Sequence, residues 1–206
     1  MESLTSTISI VNTLLYGKLP VMDRLSKTQW LDHGLEALAT SGFTALKADK
    51  LAKSLGVSRG SFYWHFKNLA DFHTAVLQRW QERTVTIPIS DVEASGTSGA
   101  SNIEALIQLA AGDSLQLERA VRAWADSSER VKEAVEQVDQ QRVAYLEQTL
   151  LDMGLGAESA TARAYLIYYA FLGQMVFYQP ISTENRQAVI QELIRLTSKD
   201  SDSDLG

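Results

Sequence analysis

Residues 57–66 read VSRGSFYWHF: one arginine, a glycine, two serines and four aromatic rings beside a histidine. Wound as a helix at 100° per residue, Phe62 and Phe66 share one face, which points to a core. Gly60, Ser61, Trp64 and Lys67 fall on the opposite face, with Tyr63 at its edge and Arg59 in the first turn. Each type on that outer face suits a nucleic-acid groove. Arginine pairs bidentately with guanine O6 and N7, worth about 1–3 kcal/mol of base discrimination. Gly60 lets a backbone approach closely, the hydroxyls of Ser58, Ser61 and Tyr63 reach phosphates, and Lys47 and Lys67 neutralise them. Trp64 would cover a thymine methyl or a sugar edge, against the plainer reading of a lid on a small core. His65 belongs with the same candidate set, although packing is the simpler role for it.

The neighbouring residues must hold this helix in place. LAKSLGVSRGSFYWHF, from Leu51, puts apolar residues at Leu51, Leu55, Val57 and Phe62 and a small Ala52 where two helices would cross. Gly56 falls where a tight interhelical turn needs positive φ, and Ser58 is a good N-cap type. Two short helices joined by a glycine-containing turn make a helix-turn-helix. In that motif the second helix enters the DNA major groove while the first crosses the backbone.

Charge agrees locally rather than globally. The 206-residue chain carries a formal charge of −6, yet residues 22–68 hold seven Lys/Arg against four acids. From Leu69 onward there are eleven basic and twenty acidic residues. A polyanion partner is therefore permitted at one end only. A hydrophobic share of 45% suffices for a sizeable core, and the absence of cysteine suits a reducing cytoplasm. The longest apolar run, AYLIYYAFLGQMVFY, falls short of the roughly 20 residues of a membrane span. The N-terminal segment lacks the basic start of a signal peptide. His33, His65 and His73 show no metal-ligand spacing, so neither a metal nor another cofactor is expected. No nucleophile motif or phosphate-cradling loop appears, so the chain is not read as an enzyme.

The pattern is helical throughout, with no run of alternating strands, so the expected fold is all-α. A three-helix headpiece covers residues 24–84, with the motif proper at 47–66. It follows an N-terminal extension, 1–23, that fits neither part. Pro88 and SDVEASGTSGASN predict a loop over 85–101. Amphipathic helices follow near 103–111, 114–126, 129–152, 157–178 and 184–197, within a C-terminal domain at 102–198. The acidic end, 199–206, is expected to be disordered.

The stretch GFTALKADKLAKSLGVSRGSFYWHFKNLADF resembles the N-terminal DNA-binding region of TetR-type transcriptional regulators, over about residues 24–84. The resemblance implies a fourth connecting helix and a C-terminal domain that dimerises and binds a small effector. It implies a homodimer whose two motifs read a palindromic double-stranded operator, and a repressor released by its effector. The chain departs from the pattern at three places: Leu46-Lys47 at the opening of the second helix, Leu69 after Asn68, and His33-Gly34 in the first helix. An alternative is a regulator without a small-molecule pocket, controlled by a protein partner.

The helix rich in Tyr165, Tyr168, Tyr169, Phe171, Phe177 and Tyr178 is apolar almost all round. The next carries Val189, Ile190, Leu193, Ile194 and Leu196. Such helices bury one face in their own domain and another against a second subunit. Candidates to line an effector pocket are Trp124, Tyr145, Tyr168 and Gln174. Arg122 or Arg142 would favour an anionic effector, against the plainer reading of solvated helix charges.

Overall fold

The computed structural model describes residues 25–110, 114–176 and 182–195, and among these every regular element is a helix. The predicted N-terminal extension and the acidic tail lie outside the described residues, as do Phe177, Tyr178 and Leu196.

The headpiece opens with α1, Lys27–Ser41, which starts in a capping box. The Ser26 hydroxyl accepts from the Gln29 amide, and the Gln29 side chain accepts in return from the Ser26 N–H. It stops at Gly42, whose φ of 71° suits a residue without Cβ. A 3-10 turn, Phe43–Ala45, leads to α2, Ala48–Ser54. Gly56 takes φ 67° in the turn before α3, Arg59–His65. The predicted helix-turn-helix is therefore present as α2 and α3. Helix α4, Leu69–Gln81, is capped by Asn68, whose side chain accepts from the Asp71 amide.

The expected loop at 85–101 is instead largely helical. Helix α4 runs into a π-helical turn, Glu82–Thr86, and then into α5, Ile87–Ala94. Pro88 sits in the first turn of α5, where a missing N–H is tolerated. It ends no helix. The chain turns only at Gly96 and Gly99, both at positive φ. Five helices then follow among the described residues: α6, Ala100–Ala110; α7, Ser114–Ala125; α8, Glu129–Asp152; α9, Ala157–Val176; and α10, Thr183–Arg195.

Two apolar cores hold this arrangement. The first is continuous across the expected domain boundary. It joins Trp30, Phe62, Phe66, Phe72 and Trp80 of the headpiece to Val121 and Trp124 of α7 and Val131, Val135 and Val138 of α8. The second lies between α6, α8 and α9, around Ile103, Leu146, Leu150, Ala164 and Ile167. On the far side of α9, Tyr165, Leu166, Tyr169 and Val176 stay exposed, as does Val189 of α10. Ile190 of α10 is buried, and Leu193 packs against the second core.

Candidate functional site

Phe62 anchors the exposed helix. Its ring lies 5.5 Å from Trp30, 5.1 Å from Phe66 and 5.1 Å from Phe72, all fully buried. Edge-on packing of this kind fixes the roll of a seven-residue helix that would not hold its shape alone. With Phe62 and Phe66 inward, Arg59, Gly60, Tyr63, Trp64 and Lys67 are exposed, and Trp64 leaves 72% of its surface to solvent. Ser61 and His65 are half-buried, and His65 leans on Phe66 at 6.2 Å between ring centres. Lys47 and Ser58 stand exposed at the N-caps of α2 and α3. Ser58 makes no side-chain cap there, contrary to its expected capping role; its carbonyl alone accepts, from the Ser61 amide. That frees its hydroxyl for an external partner. A Cβ added at Gly60 would meet nothing nearer than Ser58 Oγ at 3.7 Å, so nothing inside the protein demands glycine there.

Arg59 is held from two sides. Its Nε lies 3.1 Å from Asp49 Oδ1 on α2, and its Nη2 donates to the Tyr63 hydroxyl at 3.1 Å. The guanidinium sits 5.5 Å from the Tyr63 ring centre. Its pKa is raised, by the Tyr63 hydrogen bond first and Asp49 second. Asp49 did not emerge from the sequence pattern, because its link to Arg59 crosses the interhelical turn. Of the other histidines, His33 meets Ser54 Oγ at 2.6 Å, and His73 bonds the Leu46 carbonyl at 2.9 Å. Both tie headpiece elements together.

A cavity of about 250 Å³ opens between the connector and the C-terminal helices. Thr84 and Val85 of the π-helical turn and Pro88 and Ile89 of α5 form one wall. Leu106 and Ile107, then Tyr145 and Leu146, then Tyr168, Phe171 and Gln174 form the others. Three of the four predicted lining residues, Tyr145, Tyr168 and Gln174, are thus brought together. Trp124 is not among them. It stacks on Phe43 at 4.8 Å and meets His73 edge-on at 5.7 Å, buried where the headpiece docks on α7. With Phe43, His73 and Leu77 it lines a separate recess of about 280 Å³ instead.

The arginines of this region are already paired. Arg142 donates to both Glu118 oxygens, at 2.7 and 3.3 Å, and lies 5.1 Å from the Phe171 ring. Burial works against the charge on Arg142, and Glu118 more than restores it. Glu118 also accepts from Trp80 Nε1 at 3.3 Å, so a headpiece residue touches the same carboxylate. Arg122 pairs with Asp139 at 2.7 and 3.0 Å, and the Tyr168 hydroxyl donates to Asp139. The expectation that Arg122 or Arg142 offers a free cation to an anionic effector does not hold. Arg142 also approaches the Thr84 carbonyl at 3.4 Å; Pro88, four residues on, has no N–H to give that carbonyl.

The helix-turn-helix headpiece leads through one connector into a helical domain that lines a cavity. Residues 31–75 match the model described as "Bacterial regulatory proteins, tetR family". Over 47 residues the chain is 38% identical to the "Transcriptional regulator AcuR" of Cereibacter sphaeroides, a stretch covering 23% of this chain and only 22% of AcuR. A TetR transcriptional regulator from Legionella pneumophila superposes with a TM-score of 0.66 at 16% identity, over 85% of this chain and 98% of that one. The reduced form of E. coli NemR gives 0.61 at 21% identity, over 82% and 96%. Those two share the fold. What matches the TetR family of bacterial regulatory proteins is therefore the headpiece, residues 31–75, and the chain spans about a fifth of the length of the curated relative it matches.

Proposed function

We propose that the chain is a homodimeric repressor that binds a palindromic operator and leaves it when a small molecule enters the cavity. One observation carries the reading. The cavity shares its wall with the π-helical turn, which continues α4 directly out of the headpiece core. A ligand pressing on Thr84 and Val85 therefore bears on the element that sets where α3 sits. In a dimer, a small shift of each headpiece changes the spacing of the two recognition helices, which must match half-sites about 34–36 Å apart. The exposed Tyr165, Leu166, Tyr169 and Val176 of α9 with Val189 of α10 support a second copy as the dimer partner. The rival reading, control by a protein partner, requires a well-packed domain, and the cavity favours the first.

In this reading Arg59 contacts a guanine, Gly60 admits the backbone to the groove, and Trp64 covers a thymine methyl. Ser58, Ser61, Tyr63, Lys47 and Lys67 meet phosphates, while His65 braces Phe66. Anisotropy titrations against DNA flanking the protein's own gene and against scrambled DNA, at physiological salt, test it. Arg59→Ala should lose about 1–3 kcal/mol of discrimination at one position of each half-site. Lys67→Ala should weaken all sequences alike and lower the salt slope by about 1. Equal, sequence-independent losses from both would remove Arg59 from its assigned role. No preference for any flanking sequence in the wild type would count against operator binding there.

A further inference from the structure

The cavity's polar edge narrows the chemistry of what can occupy it. A carboxylate ligand would have to draw Arg83 from Asp32 or take Arg142 from Glu118, which has 1% of its side chain exposed and would be left as a buried charge beside a second anion. Leaving a buried charge unpaired costs several kcal/mol, more than a single new ion pair returns. Asp139 repeats the obstacle one turn away, since it already holds both Arg122 and the Tyr168 hydroxyl. A cationic ligand fares no better. Among the described lining residues there is no carboxylate, whereas two arginines, Arg83 and Arg142, are present. Arg83, like Arg142, already has a counter-charge, Asp32 at 3.7 Å.

The remaining wall is aliphatic and aromatic, with Tyr145, Tyr168 and Gln174 among its few uncharged hydrogen-bonding side chains. We infer that the effector is an uncharged, mainly apolar molecule of about a dozen non-hydrogen atoms with one hydrogen-bonding end group. The Glu118–Arg142 pair is the selectivity device: it satisfies the cation internally, so that charge on the ligand becomes a penalty. Because Glu118 also receives the Trp80 indole, the same pair lies between the ligand and the headpiece core. This inference rests on the cavity being the effector site.

The test uses three molecules of one shape, 4-phenylbutan-1-ol, 4-phenylbutanoate and 4-phenylbutylammonium, titrated into the full-length protein without DNA and followed by ligand-observed NMR at pH 7. The alcohol should bind tighter than either ion by about ten-fold or more. In Glu118→Gln, which leaves Arg142 without its counter-charge, the carboxylate should gain about ten-fold and so narrow or close the gap to the alcohol. The wild-type series decides the matter even if that variant does not fold. Equal or tighter binding of either ion by the wild type, or no saturable binding of any of the three, overturns the proposal. Operator release is read separately. An alcohol that binds yet leaves DNA occupied would sink the effector reading while the ligand class stands. An ion that binds more tightly and releases DNA would do the reverse.

Discussion

At the scale of single residues, the Arg59–Asp49–Tyr63 cluster concentrates the argument for sequence reading. With Nε toward Asp49 and Nη2 toward Tyr63, the guanidinium is oriented before any DNA arrives, which lowers the entropy lost on docking. Asp49 has a simpler role too, as an acid in the first turn of α2 that favours the helix dipole. The two roles separate on DNA. If Asp49 orients Arg59, Asp49→Asn should raise affinity for scrambled sequence, because a carboxylate near phosphates is removed. The operator-to-scrambled ratio should fall by about three- to ten-fold, as parallel titrations at fixed salt would record. An unchanged ratio would leave Asp49 with the helix-dipole role alone. Arg59 was legible from its place in VSRGSFYWHF, whereas Asp49 lies ten positions earlier and only the turn at Gly56 brings it near. Trp124 lines a different recess from the other three candidates for a related reason. An aromatic residue on a helix announces burial but not which neighbour buries it.

Among the elements, α1 and α4 set the tightest constraint. A Cβ at Gly34 would lie 2.8 Å from Phe72 Cζ and 3.2 Å from Val76 Cγ2, so the two helices cross too closely for alanine without movement. This gives a packing reason for glycine at position 34. Gly34→Ala gains up to about 1 kcal/mol of helix propensity but overpacks a fully buried ring, at about 1–3 kcal/mol. The net expectation is a loss of about 1 kcal/mol, seen as a melting temperature lower by about 2–4 °C in calorimetry. A higher one would mean that α1 rides off Phe72 freely. The headpiece helices were readable because apolar spacing, glycine punctuation and cap types agree within short windows. The connector was not. Pro88 and the Gly/Ser-rich stretch after it carry the composition of a loop, yet proline is tolerated in the first turn of a helix. Only the packing of the π-helical turn against α8 and of α5 against α6 decides between the two.

For the molecule as a whole, the buried polar network ties α7, α8 and α9 together through Glu118–Arg142, Arg122–Asp139 and Tyr168. Burial, then the Asp139 hydrogen bond, raises the Tyr168 pKa to about 12, with Arg142 pulling the other way. The folded protein therefore keeps a proton that the unfolded chain releases near pH 10. The linked stability is fully present below about pH 10 and is lost as pH rises towards 12, by about 3 kcal/mol at most. Denaturant midpoints at pH 9 and 11.5 should fall further for wild type than for Tyr168→Phe. Parallel falls would place the alkaline loss elsewhere. The same scale gives the π-helical turn its last meaning. A π turn fits one more residue into a winding than an α-helix does, so α4 and α5 flank a surplus position within residues 82–86. A relative whose connector winds regularly needs one residue fewer to present the same two faces. Alignment with such a relative calls for a single gap there, and a gap placed at the Gly/Ser stretch would shift every residue of α5 onto the wrong partner.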